Sequence, residues 1–198
     1  MITYSHKGAL YVNMTNLCTN KCTFCLRSKT NGIFDELWYN GREPTREEIL
    51  RSISNADPGR FSELVFCGYG EPTCRLYDML SICRTMRDDY PELPIRLDTN
   101  GHASLIMKED TVPLMAGLFD SVSVSLNAPD ADTYNRICRP QFGEDTFEGV
   151  MKFVRDISKV IPKVTLTAVA GTLSKDDIER CRSIAAGLGV GFRLREYI

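Results

Sequence analysis

The stretch Cys18-Thr19-Asn20-Lys21-Cys22-Thr23-Phe24-Cys25 decides how the rest of this sequence is interpreted. Its three cysteines have the spacing C-x3-C-x2-C, and no second cysteine pair follows that would complete a four-ligand structural zinc site. A cube-shaped [4Fe–4S] cluster has four irons, and each normally binds one thiolate. Three thiolates in one loop would therefore hold three irons and leave the fourth open to a small molecule.

The loop resembles the signature of the radical SAM enzymes, in which the residue before the last cysteine is aromatic, as Phe24 is here. The resemblance implies that Cys18, Cys22 and Cys25 bind a [4Fe–4S] cluster. It also implies that S-adenosylmethionine (SAM) binds the open iron through its amino and carboxylate groups, with the backbone of Phe24 near the adenine. The alternative is a non-catalytic iron–sulfur or zinc-binding module.

Two glycines and a glutamate follow the second predicted strand, in Cys67-Gly68-Tyr69-Gly70-Glu71-Pro72-Thr73. Glycines let the backbone approach a ligand closely and present its N–H and C=O groups. The stretch is similar to the glycine–glycine–glutamate motif of radical SAM enzymes, whose backbone holds the amino group of SAM, although Tyr69 separates the two glycines. The resemblance implies that Gly68, Gly70 and Glu71 belong to the SAM site.

Polar residues also end the third and fourth predicted strands. Thr99 and Asn100 precede Gly101 in a Thr-Asn-Gly sequence that resembles the family at this position. Ser125 and Asn127 share one face of a strand because side chains alternate with a period of two. The resemblance implies that such residues reach the ribose hydroxyls or the carboxylate of SAM; the alternative is that neighbouring backbone satisfies them.

Strands alternate with helices along the chain, which indicates a parallel sheet with right-handed crossovers. The predicted strands are Ala9–Thr15, Glu63–Gly68, Pro94–Asn100, Asp120–Asn127, Lys163–Ala170 and Val190–Tyr197. The predicted helices are Thr45–Asn55, Arg75–Asp89, Glu109–Gly117, Thr146–Val160 and Ser174–Leu188. The third, fourth and fifth predicted strands each have one apolar and one polar face, which favours an open polar lumen.

These elements predict an α/β fold, a partial (β/α)6 barrel of the radical SAM type with parallel strands and no final helix. The alternative is a doubly wound open sheet, whose strands would be continuously apolar. At 198 residues, one domain over 1–198 is expected.

Composition narrows the location and the partners. The formal net charge of −2 implies no bulk attraction to nucleic acid or membrane. The first residues lack the apolar core of a signal peptide, and no apolar run is long enough for a membrane span, so a cytoplasmic protein is expected. Five other cysteines are interpreted as small buried hydrophobes: Cys67, Cys74, Cys83, Cys138 and Cys181.

A long irregular stretch, Leu26–Pro44, follows the third cysteine and carries Phe34, Trp38 and Tyr39. Loops of this length in compact domains are usually functional or disordered. A lid over the cluster and a surface loop that docks its aromatics are both possible.

The last predicted strand has Phe192 and Leu194 on one face and Arg193, Arg195 and Tyr197 on the other. With no helix following, its apolar pair is expected at an edge that needs a cover. A partner chain or the Trp38-Tyr39 loop could supply it, and a homodimer through this strand is favoured. An arginine on the other face could bind the SAM carboxylate or an acidic substrate, or be solvated.

The resemblance implies a reaction. A one-electron donor of the flavodoxin or ferredoxin type reduces the cluster, SAM is cleaved, and a 5′-deoxyadenosyl radical takes hydrogen from the substrate. That substrate is a small molecule, a nucleotide or a partner protein on which a glycyl radical is made. More locally, three stretches resemble the small TatD-linked radical SAM proteins, which accompany TatD-type nucleases: Asn13–Asn16, Cys67–Arg75 and Phe192–Tyr197.

Overall fold

A computed structural model describes residues 1–28 and 35–196. Within these ranges one sheet contains seven strands in chain order. The strands are β1 Thr3–His6, β2 Ala9–Val12, β3 Leu64–Phe66, β4 Ile95–Thr99, β5 Ser121–Ser125, β6 Lys163–Val169 and β7 Gly191–Arg195. From β2 to β7 all neighbours pair in parallel, as in the predicted six-stranded partial barrel.

The first strand was not predicted from the sequence. β1 pairs antiparallel with β2 through a two-residue turn, in which Lys7 and Gly8 have φ values of 49° and 81°. Two positive φ values are typical of the type I′ turns that join tight hairpins. The strand predicted over Ala9–Thr15 is therefore the second of the sheet, and it ends at Val12.

The described α-helices lie between the parallel strands. They are α1 Arg46–Asn55, α2 Leu76–Asp89, α3 Ala103–Met107, α4 Val112–Met115, α5 Ala131–Cys138, α6 Thr146–Ile157 and α7 Lys175–Gly187. The helix predicted over Glu109–Gly117 is present but shorter, as α4, and α3 before it was not predicted. Helix α5 was missed because its sequence is short and polar at its amino end.

Local sequence sets where the longer helices begin. The Thr45 hydroxyl accepts from the Glu48 backbone N–H at 3.2 Å, and the Glu48 carboxylate accepts from the Thr45 N–H at 2.8 Å. This is a capping box, formed by the Thr-x-x-Glu pattern of residues 45–48. Ser174 caps α7 in the same manner, accepting from the Asp177 N–H at 3.1 Å.

The two faces of the sheet differ, as the alternation predicted. In β4, Ile95 and Leu97 are fully buried in the apolar core, whereas Arg96 and Asp98 point to the other face. There Arg96 binds Glu63 and Asp98, at 3.1 Å and 2.7 Å. The helices cover the apolar face, and the polar face lines an open lumen.

The edge at β7 is better covered than expected. Phe192 is half-buried, and the guanidinium carbon of Arg182 on α7 lies 5.1 Å from the centre of its ring. Leu194 remains 40% exposed, and Tyr197 lies outside the described residues. A helix of the same chain thus covers half of the apolar pair for which a partner chain was expected.

Among the described residues, no helix combines the length and the apolar character needed to cross a bilayer.

Candidate functional site

The carboxyl ends of the parallel strands bring the predicted site residues together. The loop after β2 carries the cysteines, and the Glu71 N–H donates to the Leu17 carbonyl at 2.7 Å, next to Cys18. The Thr99 hydroxyl at the end of β4 donates to the Glu71 carboxylate, also at 2.7 Å. Carboxyl ends of parallel strands share one edge of a sheet, where open α/β folds bind their ligands.

Glu71 joins the ends of β3 and β4. Its side chain is buried, and its oxygens accept from the N–H and hydroxyl of Thr73, the hydroxyl of Thr99 and the N–H of Asn100, at 2.7–3.1 Å. Burial raises the pKa of Glu71, while these four donors favour the carboxylate. Its side chain is thus engaged within the protein and holds the turn.

Gly68 and Gly70 are needed for the approach of the protein's own chain. A Cβ on Gly68 would lie 2.2 Å from Asn13 Oδ1, and one on Gly70 would lie 2.4 Å from the carbonyl oxygens of both Thr15 and Leu17. The sequence predicted that a ligand requires these glycines. The structure shows a further requirement, because the turn packs directly against the backbone before Cys18.

Buried hydrogen bonds attach the cysteine loop to the segment after β4 and to α5. His102 Nδ1 and the Thr19 hydroxyl are 2.8 Å apart, and His102 Nε2 and the Tyr134 hydroxyl are also 2.8 Å apart. The amide of Asn20 donates to the same Tyr134 hydroxyl at 3.3 Å, and the amide of Asn100 donates to Thr19 at 3.0 Å. Two residues between Cys18 and Cys22 are thereby held in place.

Burial lowers the pKa of His102 from its ordinary value of 6.5 to about 4. The folded protein therefore holds a neutral imidazole down to about pH 4, whereas the unfolded chain takes up a proton near pH 6.5. The unfolded state binds more protons between these values, so stability falls as the pH falls through this window. Between pH 7.5 and pH 5 this single group should cost about 2 kcal/mol of unfolding free energy.

Urea denaturation of wild type and His102→Gln at both pH values measures this loss. We expect the glutamine variant to lose about 2 kcal/mol less than wild type on acidification. The other histidine of the chain, His6, is exposed, so His6→Gln is the matched control and should follow wild type. An acid loss that is equal in all three proteins would contradict the assignment.

The segment after α5 backs the cysteine loop. The N–H of Lys21 donates to the Cys138 carbonyl at 3.0 Å, and the N–H of Thr23 donates to the Ile137 carbonyl at 2.8 Å. Asn20 and Pro140 form an isolated antiparallel bridge. Residues 19–23 thus run alongside residues 137–141, far away in sequence.

The three cysteines of the motif are half-buried, and their surroundings differ. Contact with Cys138 lowers the pKa of the Cys22 thiol, and the same contact raises that of Cys138. Burial raises the pKa of Cys18 to about 12, and it also raises that of Cys25. Cys138 was interpreted as a packing residue only; it is fully buried, but it also contacts the motif.

Two buried polar atoms without a hydrogen-bond partner lie at the same edge, one just after β5 and one at the end of β7. Four buried side-chain atoms of the described residues have no hydrogen-bond partner: Asn20 Oδ1, Asn127 Oδ1, Asn135 Oδ1 and Arg195 Nε. Such atoms are costly when left unpaired, so they indicate places where a ligand supplies a partner. Asn127 offers an acceptor and Arg195 a donor, which fits the amino and carboxylate groups of an amino acid moiety.

Ser125 lies beside this pair, since Arg195 Nη2 donates to its hydroxyl at 3.4 Å. Asn127 has φ at 56° and is 3% exposed, so its amide is directed inward by the backbone as β5 ends. Phe24 is half-buried and packs on the edge of the core. These positions agree with a site at the mouth of the lumen.

The thiols of the motif do not converge on one point. Within residues 1–28 and 35–196, no three His, Cys, Asp or Glu side chains are grouped closely enough to hold a single metal ion. A cube-shaped cluster does not require such convergence, because each thiolate binds a different iron. The donor set of three cysteines in one loop therefore fits three corners of a cluster.

Part of the loop at 26–44 docks its aromatics on the site. The Tyr39 hydroxyl donates to the Asn13 carbonyl at 2.5 Å, and the Trp38 ring lies edge-on to Tyr69 with centroids 6.1 Å apart. Arg27 stacks over Trp38 at 5.3 Å. Phe34 lies outside the described residues, so the predicted lid is described only in part.

The family model for the Radical SAM superfamily matches residues 12–183. The chain belongs to the radical SAM superfamily. This family comprises enzymes whose cofactors are a [4Fe–4S] cluster and SAM. The TatD-linked subgroup is a finer assignment than this match supports.

Two curated relatives and one solved structure are similar to the chain. It is 30% identical over 141 residues to GTP 3′,8-cyclase of Paenarthrobacter nicotinovorans, covering 70% of this chain and 37% of that protein. It is 29% identical over 187 residues to a probable GTP 3′,8-cyclase of Thermococcus kodakarensis, covering 94% and 56%. The chain thus spans about half or less of the length of these relatives.

The structure of Streptococcus suis SuiB bound to S-adenosylmethionine superposes with a TM-score of 0.71. Sequence identity is 16%, and the match covers 95% of this chain and 40% of SuiB. At this identity the likeness concerns the fold, and it supports the partial barrel described above.

Proposed function

We propose that the protein is a radical SAM enzyme in which Cys18, Cys22 and Cys25 hold a [4Fe–4S] cluster. The observation that carries the proposal is the meeting of the cysteine loop with the unpaired atoms of Asn127 and Arg195 at one sheet edge. When bound, the two cofactors supply a 5′-deoxyadenosyl radical that abstracts hydrogen from the substrate. A non-catalytic iron–sulfur or zinc module is the alternative.

The protein's own residues bind and orient the SAM molecule. Asn127 Oδ1 accepts from its amino group, and Arg195 Nε donates to its carboxylate. The backbone at Gly68, Gly70 and Phe24 contacts the methionine and adenine parts, and Ser125 reaches the ribose. The side chains of Glu71, Thr99 and Asn100 are already hydrogen-bonded within the protein. They therefore support the SAM contacts indirectly, by holding the surrounding backbone in place.

The lumen supports an anionic small molecule as the substrate. Near the amino ends of β5 and β6 lies a polar cavity of about 170 Å³, lined by Glu63, Arg96, Ser121, Val122, Ser123, Lys163, Thr165 and Arg193. Glu63 pairs with Arg96, which leaves the cations of Lys163 and Arg193 without a carboxylate partner in the cavity. The relatives named for GTP also favour a phosphorylated substrate. We therefore propose a phosphorylated nucleoside whose phosphates reach this cavity, while its nucleoside lies toward the carboxyl ends of the strands, where SAM would bind.

Anaerobically reconstituted protein with SAM and dithionite tests the function. We expect 5′-deoxyadenosine by liquid chromatography, formed at least several times faster with GTP than with guanosine, which has the same base and no charge. In Arg193→Ala the stimulation by GTP should be lost, while the slow cleavage of SAM without substrate remains.

Each step of this experiment has its own contrary result. A cluster that forms but never yields 5′-deoxyadenosine would favour the non-catalytic module, and a colourless zinc-containing protein would exclude the cluster. Equal rates with GTP and guanosine would exclude only the hypothesis of a phosphorylated substrate. The candidate substrate would then be a partner protein on which a glycyl radical is made.

The remaining assignments belong to the same proposal. The donor is a flavodoxin or ferredoxin, the chain is one domain over 1–198, and the cytoplasm keeps its thiols reduced. The resemblance to TatD-linked proteins supports a functional link with a TatD-type nuclease. We also propose a homodimer through β7, in which the partner chain covers the exposed Leu194. Phe192 needs no such cover, because Arg182 of the same chain already packs on it.

A further inference from the structure

Two exposed cations lie opposite each other beside the cysteine loop. The antiparallel pairing of this loop with the segment after α5 has its bridge between Asn20 and Pro140, which puts Lys21 opposite Arg139. The Lys21 N–H donates to the Arg139 carbonyl at 3.3 Å, and both side chains are exposed. Lys21 directly precedes Cys22, so this pair of charges lies at the surface next to the cluster site.

The described residues supply no ion-pair partner for these two charges. None of the ion pairs within residues 1–28 and 35–196 includes Lys21 or Arg139. Like charges that lie opposite each other in an antiparallel pair repel. Arg139 also has φ at 49°, the left-handed conformation that favours glycine at the end of a helix. An arginine at this position therefore costs stability, and its charge has no use within the described chain.

A third cation extends the pair along α5. Arg136 lies one turn before Arg139, is exposed, and takes part in none of these ion pairs, although Asp132 is four residues before it on the same helix. The whole chain has a net charge of −2, so it does not attract an acidic protein in bulk. Local cations would be needed to orient such a partner.

We propose that Lys21, Arg136 and Arg139 form the docking surface for an acidic one-electron carrier protein of the ferredoxin type. The inference rests on the proposed function, because it requires the cysteine loop to hold a cluster. The reduced carrier gives up one electron and is oxidised, the cluster gains that electron, and no bond is formed or broken. Electron-transfer encounters bury less than about 1,200 Å² in total, so a few cations beside the cluster are sufficient.

The other exposed side chains of the two paired segments favour a carrier that docks through charge. They are Thr23 and Gln141, which are polar and uncharged, and no apolar side chain of residues 19–23 or 137–141 is exposed. A flavodoxin presents the apolar edge of its flavin, which would find no apolar partner here. A ferredoxin with acidic side chains around its cluster matches the surface better.

The test compares wild type with the double variant Lys21→Gln/Arg139→Gly after anaerobic reconstitution to equal iron content. Calorimetry with an oxidised plant-type [2Fe–2S] ferredoxin measures binding, and freeze-quench electron paramagnetic resonance measures reduction of the cluster by the same ferredoxin when reduced. At low salt we expect the double variant to bind about tenfold more weakly and to be reduced about tenfold more slowly. Reduction by photoreduced 5-deazaflavin, which is small and uncharged, should not change.

Lys108→Gly is the matched control for Arg139→Gly, because Lys108 is also an exposed cation with a positive φ, 58°, at the end of a helix. Both glycine variants should be at least as stable in urea as wild type, and only Arg139→Gly should weaken ferredoxin binding. Equal affinity and rate in wild type and the double variant would overturn the proposal, and so would an equal loss in Lys108→Gly. A loss with reduced flavodoxin but not with ferredoxin would overturn the choice of carrier. A wild-type protein that binds no cluster would instead overturn the proposed function itself.

Discussion

Cys25→Ala is expected to lower the iron and sulfide content of the reconstituted protein to below about a tenth of wild type. A cube cluster held by three thiolates has no spare protein ligand, and Cys25 lies in the same short loop as the other two. Cys18→Ala should behave in the same way. Chemical analysis of iron and sulfide, with the visible absorption spectrum, measures the loss.

The control for this experiment is a cysteine outside the loop. Cys83→Ala removes a buried thiol from α2 and should leave the iron and sulfide content unchanged. Cys22 needs a double variant with Cys138, because the neighbouring thiol could take the place of the missing one. A Cys25→Ala protein with wild-type iron and sulfide would exclude the proposed ligand set.

Gly70→Ala should destabilise the protein by about 1–3 kcal/mol and weaken its retention of the cluster. The added Cβ would lie 2.4 Å from the carbonyl oxygens of Thr15 and Leu17, and these are backbone atoms that cannot rotate away. Relief requires the segment before Cys18 to move. The chain that positions the first cysteine is therefore displaced along with the turn.

Gly187→Ala is the matched control, since a Cβ there would meet no atom within 4 Å at the end of α7. Helix propensity predicts a change of less than about 1 kcal/mol, in the stabilising direction. Urea denaturation and cluster content are measured for both variants. A Gly70→Ala protein as stable as Gly187→Ala, with a full cluster, would show that the turn tolerates a side chain.

Local signals were sufficient for much of the fold. The capping box at Thr45 and Glu48 and the alternation in β4 and β5 depend on residues a few positions apart, and the structure contains both. The cysteine spacing is also a local signal, because all three cysteines lie in one loop. Helix α5 and strand β1 were missed because they are only eight and four residues long, and a periodic pattern needs a longer segment to be recognised.

The surroundings of the candidate site needed the folded chain. His102, Tyr134 and Cys138 lie more than eighty residues after the motif that they contact, and no spacing rule connects them to it. His102 was not predicted to belong to the site, and Cys138 was interpreted as a packing residue. Contacts between residues this far apart in sequence depend on which strand ends and helices the fold brings together.

The sequence by itself determined the class of the protein, because three thiolates at one spacing and glycines after the next strand are chemical requirements expressed in a few consecutive residues. The tertiary structure alone decided which groups support that chemistry. A buried polar group must find its partner wherever packing provides one, and packing here joins the loop at 18–25 to α5 and to the ends of β4 and β5.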